Sequence, residues 1–199
     1  MMTKIKLLMN YDVIGMLRLL IDFFFTRILF PKARLIRRPF YIRGKDHIEW
    51  SSGLTGGVGL RIDCFSFGKK PVLTIGRDVQ INDYVHIACV DNIYIGNNVL
   101  IASKVFITDH NHGCLSGDPE IQIPPKDRKI TSNPVCIEDN VWLGENVVVL
   151  PGITIGQSSI IGASSVVTKS IPSYSIAVGN PAKVIKRYCD KRNKWVSLV

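Results

Sequence analysis

The clearest order along the chain lies between Val135 and Val167, where an aliphatic residue returns at every sixth position: Ile137, Leu143, Val149, Ile155, Ile161 and Val167. Three of them directly precede a glycine (Gly144, Gly156, Gly162), and a second apolar set follows four places on, at Val141, Val147 and Ile153. A period of six fits neither an amphipathic helix nor an alternating strand. Fixed repeats of this kind mark a solenoid, whose units bury their apolar faces only by stacking on one another. With three hexads to a turn, residues eighteen apart stack: Ile137 on Ile155, Leu143 on Ile161, Val149 on Val167.

The same beat opens earlier at Ile75, Ile81 and Ile87, shifts by two residues, and resumes at Ile95, Ile101 and Ile107. Thirty residues, five hexads, then separate Ile107 from Ile137, and they are polar, charged and proline-containing. The pattern predicts a long loop over residues 108–136 that leaves the solenoid and rejoins it in register. An excursion of this length is either a tolerated surface insertion or an active-site loop. Asp109-His110-Asn111-His112-Gly113 at its opening favours the second.

Upstream, Ile5, Leu8, Val13, Met16, Leu17, Leu20, Phe23 and Phe24 give a broad apolar helical face, interrupted by Lys6, Asp12, Arg18, Asp22 and Arg27. No stretch reaches the ~18 uncharged apolar residues of a membrane span. Two readings stand: a helix capping the exposed end of the solenoid, or an interfacial helix associated peripherally with a membrane and flanked by Lys4, Lys6, Arg34, Arg37 and Arg38. Residues 1–47 are thus a helical segment and linker, 48–182 the solenoid body, and 183–199 a basic tail predicted to be helical. Gly53, Gly56, Gly57 and Gly59 permit tight corners in the opening coils. The Gly-Gly-Val-Gly run lacks the Lys-Ser/Thr ending and strand-to-helix setting of a phosphate loop.

Composition changes this picture little, with 46% hydrophobic and 21% charged residues. The net charge of +9 matters through its placement. Residues 1–47 hold ten Lys/Arg against three Asp, residues 183–199 six against one, and the body between them nine against twelve acidic residues. No recognition motif or aromatic–basic interleaving supports nucleic acid as the partner. Coenzyme phosphates, an anionic glycan or a membrane surface remain. Five scattered cysteines without a C-x-x-C pair or signal peptide fit a reducing cytoplasm. Cys114, in the loop, reads as an incidental thiol rather than a nucleophile.

The segments IGNNVLIASKVFITDHNHG, VWLGENVVVLPGITIG, IIGASSVVTKSIP and VGNPAKVIKRY, in that order, resemble the hexapeptide-repeat acyltransferases. The likeness runs from about Ile75 to Tyr188 and is greatest to O-acetyltransferases of bacterial lipopolysaccharide and capsule synthesis and to their galactoside and maltose relatives. It implies an all-β solenoid, the left-handed parallel β-helix, assembled as a homotrimer. It also implies acetyl-coenzyme A as donor, a sugar hydroxyl of an O-antigen or capsule precursor as acceptor, and no metal. Competing readings are a non-catalytic β-helix binding protein and an N-acetyltransferase of an amino sugar.

Acetyl transfer from a thioester to a hydroxyl needs a base, and histidine, ordinarily titrating at about 6.5, can take the alcohol proton and pass it to the leaving thiolate. Backbone N–H groups at coil corners can supply the oxyanion donors. By resemblance the base is His112, twelfth residue of a gap-free count from Ile101. His110, beside Asp109, is the alternative, orienting the loop, binding acceptor or acting as base. Asp109, His110 and His112 could bind zinc, but the family works without metal and no further ligand cluster is visible. The resemblance places Trp142, Gly144 and Ala163 along the pantetheine slot, with Thr168, Lys169, Lys183 and Lys186 near its far end. Gly144 and Ala163 would be small for packing in any case, whereas Trp142, just before a buried aliphatic, must face outward. Glu145 replaces the serine that follows Trp-Ile-Gly in the galactoside branch. Asn82 takes the acceptor-binding role of that branch's asparagine, with Asp83 second; an ordinary Asn-Asp turn is the competing reading.

Overall fold

The computed structural model describes residues 11–66, 68, 72–113 and 119–198, without the side chains of residues 119 and 120. Short parallel strands stack up three faces of a coil. Face A carries Leu35–Ile36, Thr55–Gly56, Gln80–Ile81, Leu100–Ile101, Trp142–Leu143, Ile160–Ile161 and Ser175–Val178. Face B carries Phe40–Arg43, Leu60–Cys64, His86–Cys89, Phe106–Thr108, Val148–Val149 and Val166–Val167. Face C carries Ile48–Trp50, Leu73–Ile75, Ile93–Ile95, Val135–Ile137 and Thr154–Ile155. The stacked pairs include Ile137 on Ile155, Leu143 on Ile161 and Val149 on Val167, as the hexad count requires. Ile95 stacks on Ile137 and Ile107 on Val149, so the excursion does rejoin in register.

Each hexad turns two side chains inward. The aliphatic beat residues Ile81, Ile101, Ile137, Leu143, Ile155 and Ile161 are buried, as are Val79, Val85, Val99, Val105, Val141 and Val147 four places after a beat. Burying each such side chain typically stabilises by about 1.5–3 kcal/mol. The third residue after a beat bends the corner with positive φ: Asp78, Asn98, Asn140, Asn146, Ser158 and Ser164 among them. Asn and Asp tolerate that left-handed conformation best. Glycine is demanded where coils touch, since a Cβ on Gly57 would lie 2.4 Å from the Asn82 carbonyl carbon.

Serine replaces the second inward aliphatic at Ser159 and Ser165, both fully buried. Ser159 Oγ donates to the Pro172 carbonyl at 2.8 Å and accepts the Ser175 N–H at 3.1 Å, while Ser165 Oγ accepts the Gly179 N–H at 3.0 Å. These polar inward groups tie down the last turn and give the buried Ser175 N–H its partner.

The basic tail is not helical, contrary to the sequence expectation. Lys183–Cys189 pairs antiparallel with Ser175–Val178, and Lys194–Ser197 pairs with it in turn. Val184, Ile185, Tyr188, Trp195 and Val196 favour a pleated surface, and the last face-A strand offers an open edge.

The helix Val13–Leu29 begins at Asp12, whose carboxylate accepts the Gly15 N–H at 2.6 Å. It does not lay its apolar face over the end of the solenoid, as the capping expectation held. The core ends instead on Phe30, Ala33 and Ile36. The helix meets the body through polar contacts: Thr26 Oγ1 accepts the Ile36 N–H at 2.9 Å, and Arg38 pairs with Asp22 at 2.8 Å.

Candidate active site at the root of the loop

The excursion leaves face B after Thr108, and its two ends pair as an antiparallel ribbon, His110–His112 against Ile130–Ser132. Asp109 at its root is fully buried. Its carboxylate accepts the backbone N–H groups of Val90 at 3.0 Å, Asp91 at 2.8 Å and Asn92 at 2.9 Å, and the Cys89 thiol at 3.3 Å. The corner that offers these amides is the product of the two-residue shift in the repeat. Ile75 stacks on Ile95, twenty residues later instead of eighteen, and the extra length falls between the strands His86–Cys89 and Ile93–Ile95.

Asp109 Oδ1 lies 2.9 Å from His110 Nδ1. Burial opposes ionisation of this carboxyl, but the hydrogen bonds from His110 and from the Asp91, Val90 and Asn92 amides outweigh it and hold the group below its usual range. An ionised Asp109 assigns the proton to Nδ1 and leaves Nε2 as an acceptor. Thr108 Oγ1, at 3.2 Å from Nδ1, steadies the same edge of the ring. The His110 side chain is 14% exposed. His112 is exposed farther along the ribbon, its ring centroid 6.4 Å from that of His110. Among the described residues no group of three His, Cys, Asp or Glu could hold a metal. Cys114 lies outside the described residues.

The other residues singled out in the sequence divide between two corners of the prism. Asn82, Gly144 and Ala163 lie on the corner where face A passes to face B, with exposed Trp142 on the strand leading into it. There Gly144 is pressed against the next coil, since a Cβ would come 2.6 Å from the Ala163 nitrogen. His110, Thr168 and Lys169 lie on the corner where face B passes to face C. Asp83 is occupied structurally: its carboxylate accepts the Val58 N–H at 2.9 Å and pairs with Arg37. Asn82 accepts from Gln80 at 3.1 Å and lines a cleft of about 240 Å³ with Arg37 and Gly57.

Lys183 and Lys186 share a face, though for a different reason from the one helix geometry would give. Lys183 stands opposite Val178 and Lys186 opposite Ile176, because a bulge at Ile185 adds one residue between them. Trp142, Ile160, Ile176 and Lys186 thus form one outward ladder, strand by strand.

A cluster that the sequence did not reveal sits elsewhere on face B. Buried Asp63 pairs with Arg43 at 2.6 Å, Arg61 at 2.7 Å and His86 Nε2 at 3.1 Å. Burial raises the Asp63 pKa, but these three partners outweigh it and leave the group below its usual range; burial also pushes His86 down.

The family model "Bacterial transferase hexapeptide (six repeats)" matches residues 137–169. Over 194 residues the chain is 46% identical to "Putative lipopolysaccharide biosynthesis O-acetyl transferase WbbJ" of Escherichia coli, covering 96% of this chain and 97% of that protein. It is 39% identical over 127 residues to galactoside O-acetyltransferase of the same organism, covering 64% of this chain and 59% of that protein. Among solved structures, a mutant of the N-acyltransferase AntD from Bacillus cereus, in complex with dTDP-4-amino-4,6-dideoxyglucose and coenzyme A, superposes with a TM-score of 0.59 at 26% identity, covering 79% of this chain and 82% of that one. The chain belongs to the hexapeptide-repeat acyltransferases and is an enzyme of that class.

Proposed function

We propose that this protein is an acetyl-coenzyme A dependent O-acetyltransferase acting in the cytoplasm on a sugar hydroxyl of a lipopolysaccharide O-antigen or capsule precursor. The observation that carries the reading is the buried Asp109 carboxylate holding His110 Nδ1 at the root of the long excursion. It moves the base role from His112, the count-based expectation, to His110. His110 Nε2 accepts the proton as the sugar oxygen attacks the thioester carbonyl. Collapse of the tetrahedral intermediate breaks the C–S bond, leaves an ester, and returns the proton to the coenzyme thiolate. Asp109 stabilises the imidazolium without taking its proton. His112, exposed two residues along, serves the acceptor side.

The outward ladder from Trp142 to Lys186 suits the donor. It spans about 14 Å at ~4.8 Å per strand, offers Ile160 and Ile176 to an apolar pantetheine arm, and ends on two cations for phosphate. Gly144 and Ala163 complete the donor slot beside the ladder, Thr168 and Lys169 reach it from the neighbouring copy's corner that carries His110, and Asn82 lines the acceptor side. The fold is a left-handed β-helix, and the assembly is a homotrimer. Trp142, on face A beside the corner that leads into face B, and His110, at the far corner of face B, are separated by the width of that face, so a neighbouring copy brings one edge to the other. The relative named for lipopolysaccharide biosynthesis, similar over nearly the whole chain, supports this acceptor class. AntD, an N-acyltransferase, supports a second reading, transfer to the amine of an amino sugar.

Purified protein with acetyl-coenzyme A and O-antigen or capsule oligosaccharides tests both readings. Free thiol release with a product acetyl group labile to mild alkali establishes ester formation. An alkali-stable acetyl group establishes the amide, and no thiol release with any glycan refutes enzymatic sugar acetylation.

A further inference from the structure

The helix Val13–Leu29 is built inside out. Gly15, Leu19, Asp22 and Thr26 form the stripe turned toward the body, with Asp22 and Thr26 buried. On the opposite stripe Val13 is 86% exposed, Leu17 59%, Leu20 64%, Phe24 61% and Ile28 61%. Phe23 and Phe25 widen this apolar surface on both sides and are also exposed. A contiguous apolar face of this size on a soluble body marks a surface that something covers.

Charge decides what covers it. The one carboxylate of the helix, Asp22, is buried against Arg38. The remaining charges, Arg18 and Arg27, are exposed; at about 3.6 residues per turn Arg18 flanks the Phe25 side of the apolar surface, and Arg27 lies between the central stripe and Phe23 on the other side, its guanidinium over the Phe23 ring. Lys32 follows just beyond the helix and is exposed. Arg34, Arg37 and Arg38, candidates from the sequence for lipid contact, are instead engaged by Asp78, Asp83 and Asp22. The outward surface is therefore apolar with an arginine on each side of its central stripe, and the one exposed carboxylate near it, Asp12, is taken up at the helix N-terminus by the Gly15 N–H. A partner helix covers a narrow seam, whereas exposed apolar residues at three consecutive positions, Phe23 to Phe25, spread too far round the circumference for one seam. No described helix is long and apolar enough to cross a membrane, and 17 residues reach about 26 Å when laid flat.

We infer that Val13–Leu29 is an interfacial anchor that lies in the plane of an anionic phospholipid surface, with Leu17, Leu20, Phe24 and Ile28 immersed and Arg18 and Arg27 at headgroup level. Anchoring holds the solenoid at the bilayer whatever acceptor the enzyme uses, so it stands or fails apart from the proposed reaction.

Co-sedimentation of the full chain with vesicles of phosphatidylglycerol and phosphatidylcholine, against phosphatidylcholine alone, tests the anchor. The wild type pellets with anionic vesicles, and less so as salt rises. Leu17→Glu/Leu20→Glu/Phe24→Glu, confirmed folded by circular dichroism, lowers partition more than a hundredfold. Arg18→Gln/Arg27→Gln lowers it roughly thirtyfold on anionic vesicles, about fivefold per charge, and hardly at all on neutral ones. A wild type that stays in the supernatant with anionic vesicles at low salt overturns the inference. So does a triple variant that keeps its vesicle partition and changes only its sedimentation mass, which would make this helix face a contact between copies.

Discussion

Asp109 and His110 are neighbours in sequence whose side chains nonetheless bond to each other, Oδ1 to Nδ1 at 2.9 Å, because the carboxylate is anchored by amides of the coil below. Asp109→Asn keeps the size of the group and removes its charge. Turnover should fall about a hundredfold or more as the imidazolium loses its partner, and unfolding stability by about 1–3 kcal/mol as buried amides lose their acceptor. The sign with pH follows from a folded-state pKa held below the ordinary 3.8. The unfolded chain takes the proton first as pH falls. The Asp109 contribution is therefore complete above the ordinary value and is lost as pH drops through the lower folded one. Urea midpoints of wild type and Asp109→Asn should converge in strong acid and stay apart at neutrality.

Lys183 and Lys186 end the ladder that starts at Trp142, far from the reacting carbonyl in the proposed complex. Replacing both with Ala would remove the two proposed charge-assisted phosphate contacts, typically worth about 1.5–3 kcal/mol each. The Michaelis constant for acetyl-coenzyme A should rise on the order of a hundredfold or more while turnover is spared. Added salt should weaken the wild type more than the double variant. A raised constant for the glycan alone would reassign the pair to acceptor binding.

Face B separates Trp142, on the adjoining face A, from His110, which makes subunit complementation a direct test of a site shared between copies. His110→Ala and Trp142→Ala chains, each inactive alone, should regain about a quarter of wild-type activity when unfolded together, mixed equally and refolded, since one interface in four then pairs two intact edges. Mixed trimers that stay inactive would place both residues in one chain's site.

Leu143 is fully buried between Ile101 and Ile161. Leu143→Ala should cost about 2–5 kcal/mol, whereas Ile130→Ala on the exposed ribbon should stay within about 0.5 kcal/mol. Chemical denaturation of both variants checks the contrast.

The body of the fold was legible because a single period fixes which side chains point inward and which residues stack. The Ile137–Ile155 pair and the return of the excursion in register at Ile137 follow from counting alone. The tail was misread because Lys183 and Lys186 invite a helical spacing, while the open edge at Ser175–Val178, invisible in sequence, captures a β-prone segment. The sequence pattern matches a helix over Val13–Leu29, Ile5 and Leu8 lying outside the described residues, but which face turns inward depends on Thr26 and Asp22 finding partners in residues 36–38. The Val90–Asn92 amide corner had a signal, the two-residue shift after Ile87. The shift became meaningful only with Asp109 seated in it.

Single-residue kinetics separate His110, held by Asp109, from His112 as the base most directly. Coenzyme A thiol release should be followed at saturating acetyl-coenzyme A and glycan for the wild type, His110→Ala and His112→Ala. Turnover should fall about 10²–10⁴-fold in His110→Ala, with His112→Ala staying within a few-fold and changing mainly the glycan Michaelis constant. Abolished turnover in His112→Ala beside near-normal turnover in His110→Ala would contradict the assignment of His110.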